Sequence, residues 1–224
     1  MDMKRRLWFL SAPAAALVLC LMVGTPSLKA DTVAISFDNT TGQQLANGPF
    51  TLGFQFTVNS TITVTSLGAF DSGLNGLVQS HEVGLWDSAS NLQTSTTVDA
   101  GVADPLINQF RYKAVAPVVL NPGTYRIGAV WLDGSDNNTF PGDANSGFAT
   151  ASQITFQQNS FIEGAVLTDP TTLDGPVPAY FGPNFTFTEA AVVPTPKTVW
   201  AGLSLFGCLI AARGFRMKRE RALA

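Results

Sequence analysis

Leu52-Gly53-Phe54-Gln55-Phe56-Thr57-Val58 is the stretch that decides the fold class. Its even positions are large and apolar and its odd positions small or polar. A period of two puts Leu52, Phe54, Phe56 and Val58 on one face of an extended chain, the pattern of a half-buried strand. Similar runs recur at Val33 to Phe37, Ile62 to Phe70, His81 to Trp86, Ile107 to Val115, Tyr125 to Leu132, Ile154 to Phe156, Phe161 to Leu167 and Phe185 to Phe187. Turn formers separate them, as in Asn47-Gly48-Pro49, Asn75-Gly76, Asn121-Pro122-Gly123, Asp133-Gly134 and Pro141-Gly142. No stretch between the two chain ends sustains a helical period, and Thr and Val abound. The expectation is an all-β domain, an antiparallel two-sheet β-sandwich with a jelly-roll-like strand order, flanked by an N-terminal signal helix and a C-terminal transmembrane helix.

The ends read differently from the middle. Residues 1–30 carry Lys4, Arg5 and Arg6, an apolar run from Leu7 to Val23, and a polar close at Leu28-Lys29-Ala30, the layout of a signal peptide cut after Ala30. An uncleaved anchor is the rival reading, and Pro13 within the run and Thr25-Pro26-Ser27 after it argue for cleavage. At the other end, residues 189–197 form a linker containing Val193-Pro194-Thr195-Pro196. An apolar segment follows at 198–212, and the basic tail 213–224 holds Arg213, Arg216, Lys218, Arg219 and Arg221. Fifteen helical residues rise about 22 Å against a hydrocarbon core of roughly 30 Å. That is short for a permanent span, and the tail cations hold its end on the cytoplasmic side.

Val193-Pro194-Thr195-Pro196, Trp200-Ala201-Gly202-Leu203 and the Arg-rich end together resemble the C-terminal tail of PEP-CTERM proteins. Thr195 stands where that family usually has Glu. The resemblance implies an exosortase-like processing enzyme as a partner, passage through the membrane, and release to the cell surface or extracellular matrix alongside polysaccharide. Gly53 to Val58, Leu67-Gly68-Ala69-Phe70-Asp71, His81 to Asp87, Phe110-Arg111-Tyr112 and Pro122-Gly123-Thr124-Tyr125 also resemble a β-sandwich module of exported PEP-CTERM proteins. That module has no agreed activity, so it implies fold and address and carries over no catalytic residue.

Between the ends, taken as residues 31–188 for the domain, composition narrows the partners. Over residues 31–193 the cations are Arg111, Lys113 and Arg126, against 14 acids, a formal charge of −11. Three cations cannot neutralise a run of phosphates, which excludes nucleic acid and disfavours anionic lipid surfaces. Both cysteines, Cys20 and Cys208, fall in the terminal apolar segments, so the domain has neither disulfide nor thiolate chemistry.

Few residues invite chemistry. His81 is the single histidine; without a second His or a nearby Cys it builds no tetrahedral zinc site, and no Gly-x-Ser-x-Gly elbow accompanies it. Packing or hydrogen bonding at a strand start is its expected role, and no catalytic residue is assigned. Asp133, Asp136 and Asp143 form the densest set of hard oxygen ligands and are the candidate calcium site, with a solvated turn as the alternative. Asp71 before Asn75-Gly76 is a weaker candidate of the same kind. Trp86 and Trp131 are the candidate glycan contacts, because an exposed indole offers a flat apolar platform for a sugar; burial in the core is the alternative. A glycoside hydrolase would need two facing carboxylates, which scattered acids do not identify.

Overall fold

The computed structural model describes residues 30–38, 43–45, 48–140, 147–179 and 181–189. The signal segment before Ala30, the Pro motif, the apolar segment and the basic tail lie outside the described residues, as does Asp143. Among the described residues there is no helix, and every named strand pairs antiparallel.

The strands in chain order are β1 (Thr32–Val33), β2 (Ile35–Ser36), β3 (Gln43–Leu45), β4 (Phe50–Val58), β5 (Ile62–Phe70), β6 (His81–Asp87), β7 (Leu92–Val98) and β8 (Leu106–Ile107). They continue as β9 (Phe110–Leu120), β10 (Gly123–Trp131), β11 (Asn138–Phe140), β12 (Ala149–Thr150), β13 (Ile154–Glu163), β14 (Thr172–Leu173) and β15 (Pro183–Glu189). One sheet runs β1-β15-β5-β9-β8 and the other β14-β13-β4-β10-β6-β7; β11 pairs with β3 and β12 with β2.

Residues of both large sheets share one core. Phe54 and Phe56 of β4, Val83 and Leu85 of β6 and Ile127 of β10 are fully buried with Val64 and Leu67 of β5, Phe110 of β9 and Phe185 and Phe187 of β15. The Phe56 and Phe185 rings, one from each sheet, lie 5.1 Å apart. In β5 the inward residues are Ile62 and Val64, then Leu67 and Ala69, so the alternation changes phase midway. A register shift between Val64 and Ser66 supplies that change, with Thr65 left over against β15 and residues 115–117 bulging from β9. Pro117 in the bulge keeps that stretch of β9 from offering a regular open edge.

β7 escapes the sequence pattern because Leu-Gln-Thr-Ser-Thr-Thr-Val has no apolar alternation; it is an edge strand that needs only one partner, β6. The two runs read at 154–156 and 161–167 are one strand, β13, with a bulge between Phe156 and Gln158.

The outer face of the six-stranded sheet is covered as well. Gly53 of β4 lies opposite Gly128 of β10, which lies opposite Gly84 of β6, so three glycines stand abreast. Into this shallow track comes the segment that follows β13. A Cβ on Gly84 would meet the Trp86 ring at 2.5 Å and Leu167 at 3.1 Å, and one on Gly128 would meet Thr51 at 2.7 Å and Pro170 at 3.0 Å. Arg126, also on this face, grips Asp169 of the segment through Nε to Oδ1 (2.7 Å) and Nη2 to Oδ2 (2.5 Å). Asn159 donates to the carbonyls of Asp174 and Val177 and accepts from Ala179 N, holding the far part. Residues 164–179 are thus a strap over the sheet, tied by these side chains and by the short pairing of β14 with β13.

Gly128→Ala should push the strap off its track. The expected result is a loss of about 1–3 kcal/mol in urea unfolding, with faster amide exchange across residues 164–179 than elsewhere. Unchanged exchange in that segment would show that the glycine row is not what seats it.

Candidate functional site

The described residues bring His81, Asp133, Asp136 and Trp131 together at the end of the six-stranded sheet where β6 begins and β10 ends. His81 opens β6 and is 1% exposed. Its Nδ1 lies 2.8 Å from the carbonyl oxygen of Val130 and its Nε2 3.1 Å from Asp136 Oδ2. Its ring rests on Trp131 with centroids 3.9 Å apart. Asp136 also accepts from Val78 N at 2.9 Å and Gln79 N at 2.8 Å. Gln79 donates to Asp133 Oδ1 and Ser135 Oγ, and Asp133 accepts from Ser135 N. The loop after β10 is in this way fastened to the turn before β6.

Each ring nitrogen of His81 faces an oxygen acceptor, Nδ1 the Val130 carbonyl and Nε2 the Asp136 carboxylate. A general base needs a ring nitrogen free to take a proton from a nucleophile or water, and here both are committed. Burial of the Asp136 carboxyl works to raise its pKa. The hydrogen bonds from His81, Val78 N and Gln79 N, with the attraction of the imidazole, outweigh that and hold it below the usual carboxylate range. Asp133 is lowered too, first by the Ser135 hydroxyl and then by its backbone N–H.

One expectation needs correction here and another is narrowed. N–H donors and the imidazole engage the oxygens of Asp136, and Asp143, the third candidate calcium ligand, lies outside the described residues. Among the described residues no group of three or more His, Cys, Asp or Glu is placed to hold a metal ion. Asp71 is likewise committed, accepting from Arg111 Nε at 2.7 Å and from Gly76 N. The glycan platform fails for a different reason: Trp131 is 0% and Trp86 5% exposed. Trp86 does point to the outer face of its sheet, but the strap closes over it.

Sequence reasoning missed the ion pairs. Arg111 sits between Phe110 and Tyr112, and Arg126 between Tyr125 and Ile127. A cation in the interior of a strand pattern signals a buried partner, which is the clue that was available. Arg111 binds Asp71 and the carbonyls of Val102 and Asp104. Lys113 bridges Asp99 and Asp104 at the surface. Together with Arg126 and Asp169, these pairs use every Lys and Arg among the described residues.

His81→Leu should cost about 3 kcal/mol or more, since it leaves Asp136 buried with its imidazole partner gone. Trp86→Ala should cost about 3–5 kcal/mol and expose the strap, the behaviour of a core residue. Both are read by denaturant unfolding, and near-zero losses would contradict the assigned burial. Because the Asp136 pKa is lowered on folding, its contribution is full above the unfolded value of about 4 and is lost as pH falls through the folded value. Asp136→Asn should therefore weaken the protein at neutral pH and flatten the decline of stability below about pH 4, as followed by thermal unfolding across pH.

No family model, curated protein or solved structure matches this chain.

Proposed function

We propose that the chain is a non-catalytic exported protein, a β-sandwich of jelly-roll type delivered by residues 1–30 and sorted through Val193-Pro194-Thr195-Pro196, the apolar segment 198–212 and the basic end. An exosortase-like enzyme is the partner that cuts the tail, and the cell surface or extracellular matrix is the destination. The observation that carries this reading is the register of β1 on β15, Thr32 opposite Phe187 and Val33 opposite Thr186. Antiparallel pairing sends residue 30 and residue 189 out of the same pole. Both terminal segments can then address one membrane without the chain wrapping round the domain. The commitment of His81 and Asp136 to each other and to the backbone supports the non-catalytic part. Two sheets sharing one core support the sandwich.

Extracellular polysaccharide is the matrix that accompanies such tails, and it would have to be met without stacking on Trp86 or Trp131. Charge disfavours nucleic acid, since every cation among the described residues is engaged with an aspartate.

Mass spectrometry of the protein purified from its native host tests the reading. A mature chain beginning at Asp31 and lacking Arg213 to Ala224 is expected, with the tail retained when the processing enzyme is deleted. A tail retained in the unaltered host would overturn the cleavage and leave an anchored protein.

A further inference from the structure

The two poles of the domain are built unequally. The pole from which both chain ends leave is closed by short turns, 59–61, 88–91, 121–122 and 151–153. The opposite pole carries the long connections 71–80, 99–109 and 132–137. Leu77 and Gly101 bridge the first two of these, and Arg111 ties them from below, through Asp71 on one side and the Val102 and Asp104 carbonyls on the other.

On these two fastened loops stand Leu74, Val78, Val102, Leu106 and Ile107, each between 38% and 67% exposed. Five aliphatic side chains held out on adjacent loops make the kind of exposed apolar surface that marks an interaction site. Two of the three non-glycine residues with positive φ among the described residues, Leu74 (63°) and Asn108 (55°), are here as well. A branched aliphatic residue in the left-handed region is strained, and such strain persists where the surroundings impose it. Here the Asp71 and Arg111 contacts impose it.

We infer that this pole is a docking surface for a protein segment that combines aliphatic with Lys or Arg side chains. The aliphatic part follows from the five residues named. Every large exposed apolar residue among those described is Leu, Ile or Val, so a sugar ring finds no aromatic platform. The cationic part follows from charge: Glu82 and Asp133 are exposed nearby without a cation, and Lys113, Arg111 and Arg126 are already paired with Asp99, Asp104, Asp71 and Asp169. A second copy brings the same sign of charge. With both chain ends at the opposite pole, copies held in one membrane by their tails can present this pole in the same direction. The outward direction rests on the tail reading; the surface itself does not.

The test uses the full chain in nanodiscs of neutral lipid, probed with a short peptide alternating leucine and lysine. Serine/lysine and leucine/glutamate peptides are the controls. Hydrogen exchange should slow in residues 72–78 and 100–107 with the leucine/lysine peptide only. The exposed double variant Val102→Ser, Ile107→Ser should keep the wild-type unfolding midpoint and weaken binding about tenfold. Equal protection by serine/lysine peptide, protection at 59–61 and 121–122 instead, binding unaffected by the double variant, or no protection would each overturn the proposal. Membrane fractionation of host cells is scored separately: a soluble full-length chain would sink the tail reading while leaving the exchange result to stand or fall alone.

Discussion

Scarcity of positive charge is the constraint on which the rest depends. Between the terminal segments fourteen acids share three cations, and the fold places each cation where an aspartate has to be taken out of water. A buried carboxylate without a partner costs several kcal/mol, so the position of each cation decides which loop can be held down. Arg126 fastens the strap through Asp169. Arg111 binds the two long loops of one pole through Asp71 and two carbonyls. Lys113 meets Asp104, and the fourth buried aspartate among the described residues, Asp136, is met by the single histidine. The hydrophobic core makes the two sheets stable, and these polar fastenings give the covering segments one position instead of many.

That economy shapes what the protein can do. Arg111 and Arg126 are held by buried aspartates, Lys113 by Asp99 and Asp104, and both ring nitrogens of His81 face acceptors. The surface left over is acidic, with Leu74, Val78, Val102, Leu106 and Ile107 exposed on the long loops of one pole and both chain ends at the other.

Much of the fold was legible. The period-two runs marked β4, β5, β6, β10 and β15, because a face buried on a shared core imposes alternation. β7 was not legible, since an edge strand rich in Ser and Thr carries no such demand. The phase slip at Thr65 and Ser66 was on view in the sequence, but only the pairing partners identify it as a bulge. For the site, the clustering of Asp133, Asp136, Trp131 and His81 depends on bringing the β6 start beside the β10 end, a contact between segments about fifty residues apart that no local pattern announces. Strand alternation puts Trp86 on the face away from Val83 and Leu85. The strap that covers it comes from far along the chain, and Arg126 and Asp169 needed to be read as a pair to foresee it.

The central claim is the proposal that the domain is exported, delivered by residues 1–30 and sorted through its C-terminal tail, and stands outside the cell. Brief protease treatment of intact host cells, with the released peptides identified by mass spectrometry, tests it most directly. Peptides from the loops at 71–80 and 99–109 should be released before the cells are opened. Release of domain peptides only after lysis would contradict export and with it the account given of this chain.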